Sequence, residues 1–243
     1  MPADAPTILG TSMGFFARGR NQSDWDPSPV FGLAFDLAGR PQRPKLCYIG
    51  TATGDAISYV ASFYEAFSRR DVQTSHLALF AMPNIEDMRA HLLAQDVIWV
   101  GGGSTANLLA VWRVHGLDDI LRECWESGVV LAGVSAGSIC WHDSGTTDSF
   151  GPDLEPITNG LGFLPYSNGV HYDAELQRRP LFQKLIGEGI LGAGYATDNG
   201  VGIHYRGTEF VEAFADRDDV YAYYVQRGAD GAVTETRITP RRL

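Results

Sequence analysis

Two apolar runs in this chain each end on a cluster of glycines, and that pairing restricts the possible folds more than any other feature of the sequence. Val97 to Val100 runs into Gly101-Gly102-Gly103-Ser104, and Val129 to Ala132 runs into Gly133-Val134-Ser135-Ala136-Gly137. A short, near-continuous apolar run reads as a strand buried on both faces of a parallel sheet. Glycine directly after such a strand marks backbone that turns tightly or approaches a ligand closely. In an open parallel sheet, ligands sit at the carboxyl ends of the strands. Glycine is also enriched overall, at 28 of 243 residues, against an ordinary share of about 7%.

The rest of the first 140 residues repeats the alternation. Ile8 to Leu9, Leu46 to Ile49 and Leu77 to Phe80 read as further strands. Ile57, Val60, Ala61, Tyr64 and Phe67 recur at helical spacing, as do Leu117, Ile120, Leu121, Cys124 and Trp125. Asn84, followed by Glu86 and Asp87, reads as the cap of a helix through Leu93. Strand and helix in turn predict an α/β fold: a doubly wound, mostly parallel sheet with helices on both faces. Asn21 to Arg43 is polar and proline-containing and reads as a surface excursion. Past residue 145 the pattern loosens into loops, then a helix from Pro180 through Ile186 and a strand from Val201 to Tyr205. Val220 to Val225 and Val233 to Ile238, joined across Gly228 to Gly231 with its Asp-Gly pair, predict a C-terminal β-hairpin. With no repeat or linker, residues 1–243 read as one α/β domain.

Composition removes several kinds of partner. Nineteen basic and 29 acidic residues give a net charge of −10, and Lys and Arg are nowhere concentrated as a nucleic-acid groove needs. No run is long and apolar enough to span a membrane, and the N-terminus has no basic and apolar leader pattern. Cys47, Cys124 and Cys140 are odd in number and lack a C-x-x-C pair, so neither disulfides nor a metal site is expected. The expectation is a cytoplasmic, soluble protein, monomer or homodimer, that acts on a small molecule or peptide without a cofactor.

Gly133-Val134-Ser135-Ala136-Gly137 matches the G-x-S-x-G nucleophile elbow, in which a serine sits on a strained strand-to-helix turn. A Cβ on either glycine would collide with neighbouring backbone. The helix after Ser135 is expected to run to about His142. Acyl transfer also needs oxyanion donors; the Ala136 amide can supply one and Gly102 or Gly103 the other. The alternative for Gly101 to Gly103 is a phosphate-binding or plain tight turn, and the spacing does not make a dinucleotide fingerprint. A serine nucleophile needs a base, commonly histidine. Of six histidines, His76 and His91 lie in early elements, His115 between helices, His142 along the elbow helix and His204 inside a strand. His171, at the end of an extended piece in an irregular region, is the candidate.

The runs VGGGSTANLLAVWRVHGL, GVVLAGVSAGSICW, TTDSFGP, GLGFLP and VHYD, over roughly residues 45 to 225, resemble the peptidase E family of serine peptidases, the aspartyl dipeptidase and cyanophycinase group, and especially its actinobacterial-type members. The resemblance implies a class I glutamine amidotransferase-like fold, with Ser135 as nucleophile and His171 as general base. It places the third triad residue in Ala196-Thr197-Asp198-Asn199-Gly200, at Asn199 by direct match with Asp198 as the rival. A carboxylate would also stabilise an imidazolium, whereas an asparagine can only orient the ring; a turn-forming Asp-Asn-Gly is the bland alternative. Members that cleave after an N-terminal aspartate carry an arginine just before the Thr-Thr segment. Here that segment reads Ser144-Gly145-Thr146-Thr147-Asp148, without one. Thr147 and Asp148 are candidate substrate-binding residues, Asp148 for an α-amino group. Arg178 and Arg179 are candidates for a substrate carboxylate, with solvated helix-start charges as the alternative.

The leading expectation is a serine peptidase that cleaves short peptides, including dipeptides with N-terminal aspartate, through an acyl-enzyme. Two alternatives stand beside it. An α/β-hydrolase-type esterase would use His204 with Asp173 or Asp198, and a binding protein would keep the amidotransferase-like fold without turnover.

Overall fold

The computed structural model describes residues 3–18, 24–174 and 176–243. In chain order, β1 (Thr7–Thr11) leads to a small hairpin, β2 (Phe15–Arg18) and β3 (Asp24–Pro27), and then to α1 (Val30–Leu37). Next come β4 (Lys45–Ile49), α2 (Ile57–Phe67), β5 (Gln73–Leu77), α3 (Met88–Leu93), β6 (Val97–Val100), α4 (Thr105–His115), α5 (Leu117–Glu126) and β7 (Val130–Val134). They are followed by α6 (Ala136–Ile139), β8 (His142–Thr147), β9 (Glu155–Ile157), β10 (Leu164–Gly169), α7 (Arg178–Gly187), β11 (Gly194–Thr197) and β12 (Val201–Arg206). The chain closes with β13 (Glu209–Ala215), β14 (Ala222–Arg227), β15 (Val233–Ile238) and β16 (Arg241–Arg242).

The main sheet runs β16-β13-β12-β1-β7-β6-β4-β5. It is parallel from β1 through β5, with β12 and β13 added antiparallel at one side. Its strands read as continuous apolar runs because both faces are covered. Leu46, Tyr48, Val97, Trp99, Val130 and Ala132 pack under α1 and α2. Their neighbours Cys47, Ile49, Ile98, Val100 and Leu131 pack under α4 and α5, with Leu108, Trp112, Leu121 and Trp125. This period-two division between two cores is what a doubly wound sheet requires.

Four local readings change. Residues 24–37 are not a loop excursion: Val30, Phe31 and Ala34 give α1 an apolar stripe, and the Phe31 ring lies 4.4 Å from that of Trp99. Residues 21–23 of that stretch lie outside the described residues. The third strand is Gln73–Leu77 rather than Leu77 to Phe80, because an edge strand tolerates the polar residues of QTSHL. Asp87, not Asn84, caps α3, accepting from Ala90 N at 2.8 Å, while Asn84 instead accepts from Ala78 N. The helix after Ser135 stops at Ile139, and His142 opens a strand.

The region beyond residue 145 holds a second sheet, β15-β14-β11-β10-β8-β9. It is parallel across β8, β10 and β11, and the expected hairpin, β14 with β15, forms its far side. HDSGTT, LPYSNG and GYAT carry small and polar residues where a hydrophobic pattern would have marked strands. The small residues are needed for packing: a Cβ on Gly194 would come 2.0 Å from Ser167 O, and one on Gly145 2.5 Å from Asn168 O. Carboxyl ends from both sheets, those of β1, β6 and β7 and of β10 and β11, supply the segments described next.

Candidate active site

At the end of β7 the backbone of Ser135 adopts φ 57°, ψ −115°, a conformation that costs a non-glycine residue about 1–3 kcal/mol and is kept only where its surroundings impose it. Here they do. Ser135 N donates to Thr11 O at 3.0 Å, and Ser135 O accepts from Ser138 N and Ile139 N at 2.8 and 2.9 Å. A Cβ on Gly133 would lie 2.3 Å from Gly137 O, and one on Gly137 2.2 Å from Val100 O. Both flanking glycines are therefore demanded by backbone packed against backbone, and Ser135 is carried above the sheet at the start of α6.

The glycine loop after β6 faces it. Gly101 N donates to Ile49 O and Ser104 N to Ala52 O, which pins both ends. A Cβ on Gly103, at φ +131°, would lie 2.4 Å from Ala52 O. Gly102 is the residue turned to the serine: a Cβ there would come 3.2 Å from Ser135 Cβ and 3.8 Å from Ser135 Oγ. Ala136, first in α6, presents one of the amides that a helix start leaves uncommitted. Gly102 thus lies beside the Ser135 side chain, and Ala136 follows that serine directly at the helix start.

His171 follows β10 and, like Ser135, has a positive φ, 54°. Its amide donates to Ser12 Oγ at 3.0 Å, and the Ser12 hydroxyl lies 2.7 Å from that of Thr197. Ser12 thereby ties the ends of β1, β10 and β11 together. His171 Nδ1 is hydrogen-bonded to Asn199 Oδ1. An amide oxygen only accepts, so Nδ1 carries the proton and Nε2 is the basic nitrogen. Asn199 is itself held on both sides of its peptide: its N–H donates to Asp173 Oδ1 at 2.7 Å, and its carbonyl accepts from Arg217 Nε at 2.9 Å. Asp198 points elsewhere. Its carboxylate accepts from Tyr221 N at 2.9 Å and Tyr223 OH at 3.4 Å, and burial raises its pKa.

The other histidines are placed away from this pair. His142 is fully buried beneath the elbow, Nδ1 on Ser138 O at 2.9 Å and Nε2 on Tyr205 OH at 3.2 Å. Burial lowers its pKa to about 4, so it is neutral near pH 7. His76 and His91 bond Tyr64 and Ser75. His204 sits within β12 across from Leu9 and Glu212, and neither Asp173 nor Asp198 bonds it, so the esterase arrangement is not brought together. The three cysteines are free and buried, with Cys47 and Cys124 pushed up to about 12 by desolvation. Among the described residues, no group of three or more His, Cys, Asp or Glu could hold a metal ion.

The expected substrate-binding residues are scattered. Thr147 is buried, its hydroxyl 3.3 Å from that of Thr105 and 2.7 Å from that of Ser149, and Asp148 is exposed. Arg179 is paired with Glu235 and lies over the rings of Tyr172 and Tyr223, at 5.5 and 4.8 Å, so it ties α7 to the hairpin. Arg178 is 3% exposed at the start of α7.

What borders the site instead is a cavity of about 410 Å³. Gly101 to Gly103, Val134, Ser12 and His171 frame it on the side of the serine; Met13, Phe15, Trp25, Tyr48, Tyr59 and Trp99 form the remainder with Gly14, Ala17 and Thr53. Ser12, Arg217 and these aromatic residues were not singled out from the sequence. The one available sign was the glycine-bracketed Gly10-Thr11-Ser12-Met13-Gly14 after the weak first strand.

Fold and elbow together define an α/β protein with a serine on a strand-to-helix turn at the carboxyl edge of a parallel sheet. The chain belongs to Peptidase family S51, whose profile matches residues 23–213, and it is therefore a hydrolase of the peptidase class. It is 45% identical over 184 residues to the uncharacterized peptidase YgaJ of Bacillus subtilis (strain 168), covering 76% of this chain and 79% of that one. It is 30% identical over 120 residues to peptidase E of Shewanella denitrificans (strain OS217), 49% and 50% of the two chains. The crystal structure of a peptidase from an acI-B1 Actinobacterium superposes with a TM-score of 0.65 at 14% identity, covering 97% of this chain and 95% of that one. That last likeness concerns the fold alone. Among the described residues no helix is long and apolar enough to cross a membrane.

Proposed function

We propose that this chain is a serine peptidase of the peptidase E type that hydrolyses short peptides through an acyl-enzyme. Ser135 is the nucleophile, His171 the general base and Asn199 the residue that orients it, within a single α/β hydrolytic domain. Ser135 Oγ gives its proton to His171 Nε2 as it bonds the scissile carbonyl carbon. The oxyanion formed is held by the amides of Gly102 and Ala136. When the tetrahedral species collapses, the C–N bond breaks and the amine leaves with the Nε2 proton. Water then attacks the ester, giving one proton to Nε2, and Ser135 Oγ recovers it as the acid departs. No step calls for a metal or organic cofactor.

The observation that carries this reading is the bond from His171 Nδ1 to Asn199 Oδ1, which leaves Nε2 basic; His171 lines a cavity that is also lined by the Gly102 loop and by Val134, the residue before the strained Ser135 turn. Backbone strain of this kind gathers at reacting residues. A cavity of about 410 Å³ suits a short peptide rather than a folded substrate. Asn199 is neutral and orients the ring without stabilising its charge.

A second reading, a binding protein of the same fold without turnover, is favoured by that neutral third residue. Treatment with a fluorophosphonate followed by peptide mapping separates the two. Stoichiometric labelling of Ser135, lost in Ser135→Ala, supports the peptidase; an unlabelled native protein contradicts it and leaves the binding reading.

A further inference from the structure

The cavity beside Ser135 is walled by a continuous set of aromatic rings. Phe15 stacks on Trp25 with centroids 4.6 Å apart, Trp25 meets the edge of Tyr59 at 5.5 Å, and Phe15 meets Trp99 at 6.2 Å. Trp99 is fully buried and fixed, since even a Cβ on Gly14 would come 2.9 Å from its ring. Tyr48 closes the wall against the glycine loop, where a Cβ on Gly101 would lie 2.6 Å from its hydroxyl. Among the described residues that line the cavity there is no Lys, Arg, Asp or Glu.

Such a wall has a definite chemical preference. Among the described lining residues a carboxylate entering it would lose its water and meet no cation, an expensive exchange. Behind Tyr48 stands a negative charge as well: a Cβ on Gly50 would come 3.0 Å from Tyr48 Cε1 and 3.6 Å from Asp55 Oδ1. The net charge of −10 acts in the same direction at longer range. A planar or branched apolar side chain gains area burial and ring contacts in the same space. A cationic side chain would find ring faces but no carboxylate in the lining to pair with it.

We infer that this pocket selects peptides whose residue on the acyl side of the scissile bond carries an aromatic or large aliphatic side chain, and that it rejects acidic ones. The inference rests on the serine peptidase reading above. The side is set by the frame: Gly101 to Gly103 and Val134, which line the cavity, adjoin the groups proposed to hold the carbonyl, so the cavity receives the side chain of the residue that carries it. The hairpin of β2 and β3 contributes Phe15, Ala17 and Trp25, so it is a specificity element rather than a surface loop.

The test compares Phe, Leu, Ala, Asp and Lys p-nitroanilides with free α-amino groups, alongside fluorophosphonate labelling of the same preparation. The expected result is kcat/KM for Phe and Leu about 100-fold above Asp and Lys. Trp25→Ala is expected to lower the ratio of Phe to Ala turnover about 10-fold, and Ala17→Arg, at the exposed rim, to narrow the gap between Phe and Asp by a similar factor. Preference for Asp or Lys, equal rates on all five, unchanged ratios in both variants, or no cleavage by protein whose Ser135 takes the label would each overturn the inference and leave the peptidase reading standing. Protein that neither labels nor cleaves would overturn both.

Discussion

The two halves of the candidate site are held in different ways. On the serine side, position is imposed by backbone against backbone: Gly133, Gly137 and Val100 meet so closely that no Cβ fits between them. On the histidine side, position is imposed by hydrogen bonds between segments far apart in the chain, Ser12 to His171, His171 to Asn199 and Asn199 to Asp173 and Arg217. A packed turn cannot be altered without disturbing the core, whereas a hydrogen-bonded arm can lose a member and leave the fold intact. The first arrangement fixes the strained backbone of the proposed nucleophile; the second orients the proposed base.

This contrast can be broken in four ways, taken from the largest effect to the smallest. His171→Ala should lower kcat by about 10²–10⁴-fold, the contribution of a positioned base, while its melting temperature stays close to that of the native protein; equal loss of stability and activity would show that the arm is structural. Gly137→Ala should act in the opposite sense. Forcing a Cβ to within 2.2 Å of Val100 O should cost about 3 kcal/mol or more, a fall of roughly 6–12 °C in Tm. Calorimetry showing native stability would mean that the elbow has slack.

The third concerns the floor of the elbow. His142 has a pKa of about 4 when folded and an ordinary value of 6.5. Between these values the unfolded chain binds the proton and the folded chain does not, so stability is complete above pH 6.5 and is lost as pH falls towards 4. The loss amounts to about 3 kcal/mol. Thermal melts across this range should show a shallower slope for His142→Asn than for the native protein, and identical slopes would contradict the burial account. The smallest effect is expected for Asn199→Asp. A carboxylate at Nδ1 favours the charged imidazole, so the acid limb of kcat/KM should move up by about one pH unit; an unmoved limb would place residue 199 outside the base's surroundings.

The same contrast explains what could be read from the sequence. The elbow was legible because steric demand leaves letters behind: an apolar run, Gly133, Ser135 and Gly137 in register. The arm leaves few. Chemistry alone favours Asp198 over Asn199, yet successive residues at a strand end point to opposite sides, and the Asp198 carboxylate is taken by Tyr221 and Tyr223. Arg217 acts through a backbone carbonyl, which no motif records. The second sheet was hidden because its parallel strands are short and rich in Gly, Ser, Thr and Asn, and α1 because its apolar stripe lies in a polar, proline-containing stretch.

The central claim is a covalent bond between Ser135 and the acyl group of a peptide. Rapid acid quenching of the native protein with an aminoacyl p-nitrophenyl ester, followed by intact mass and peptide mapping, measures it directly. The account predicts one acyl group on Ser135, absent in Ser135→Ala and greatly reduced in His171→Ala. Turnover with no adduct, or an adduct on any other residue, would contradict it.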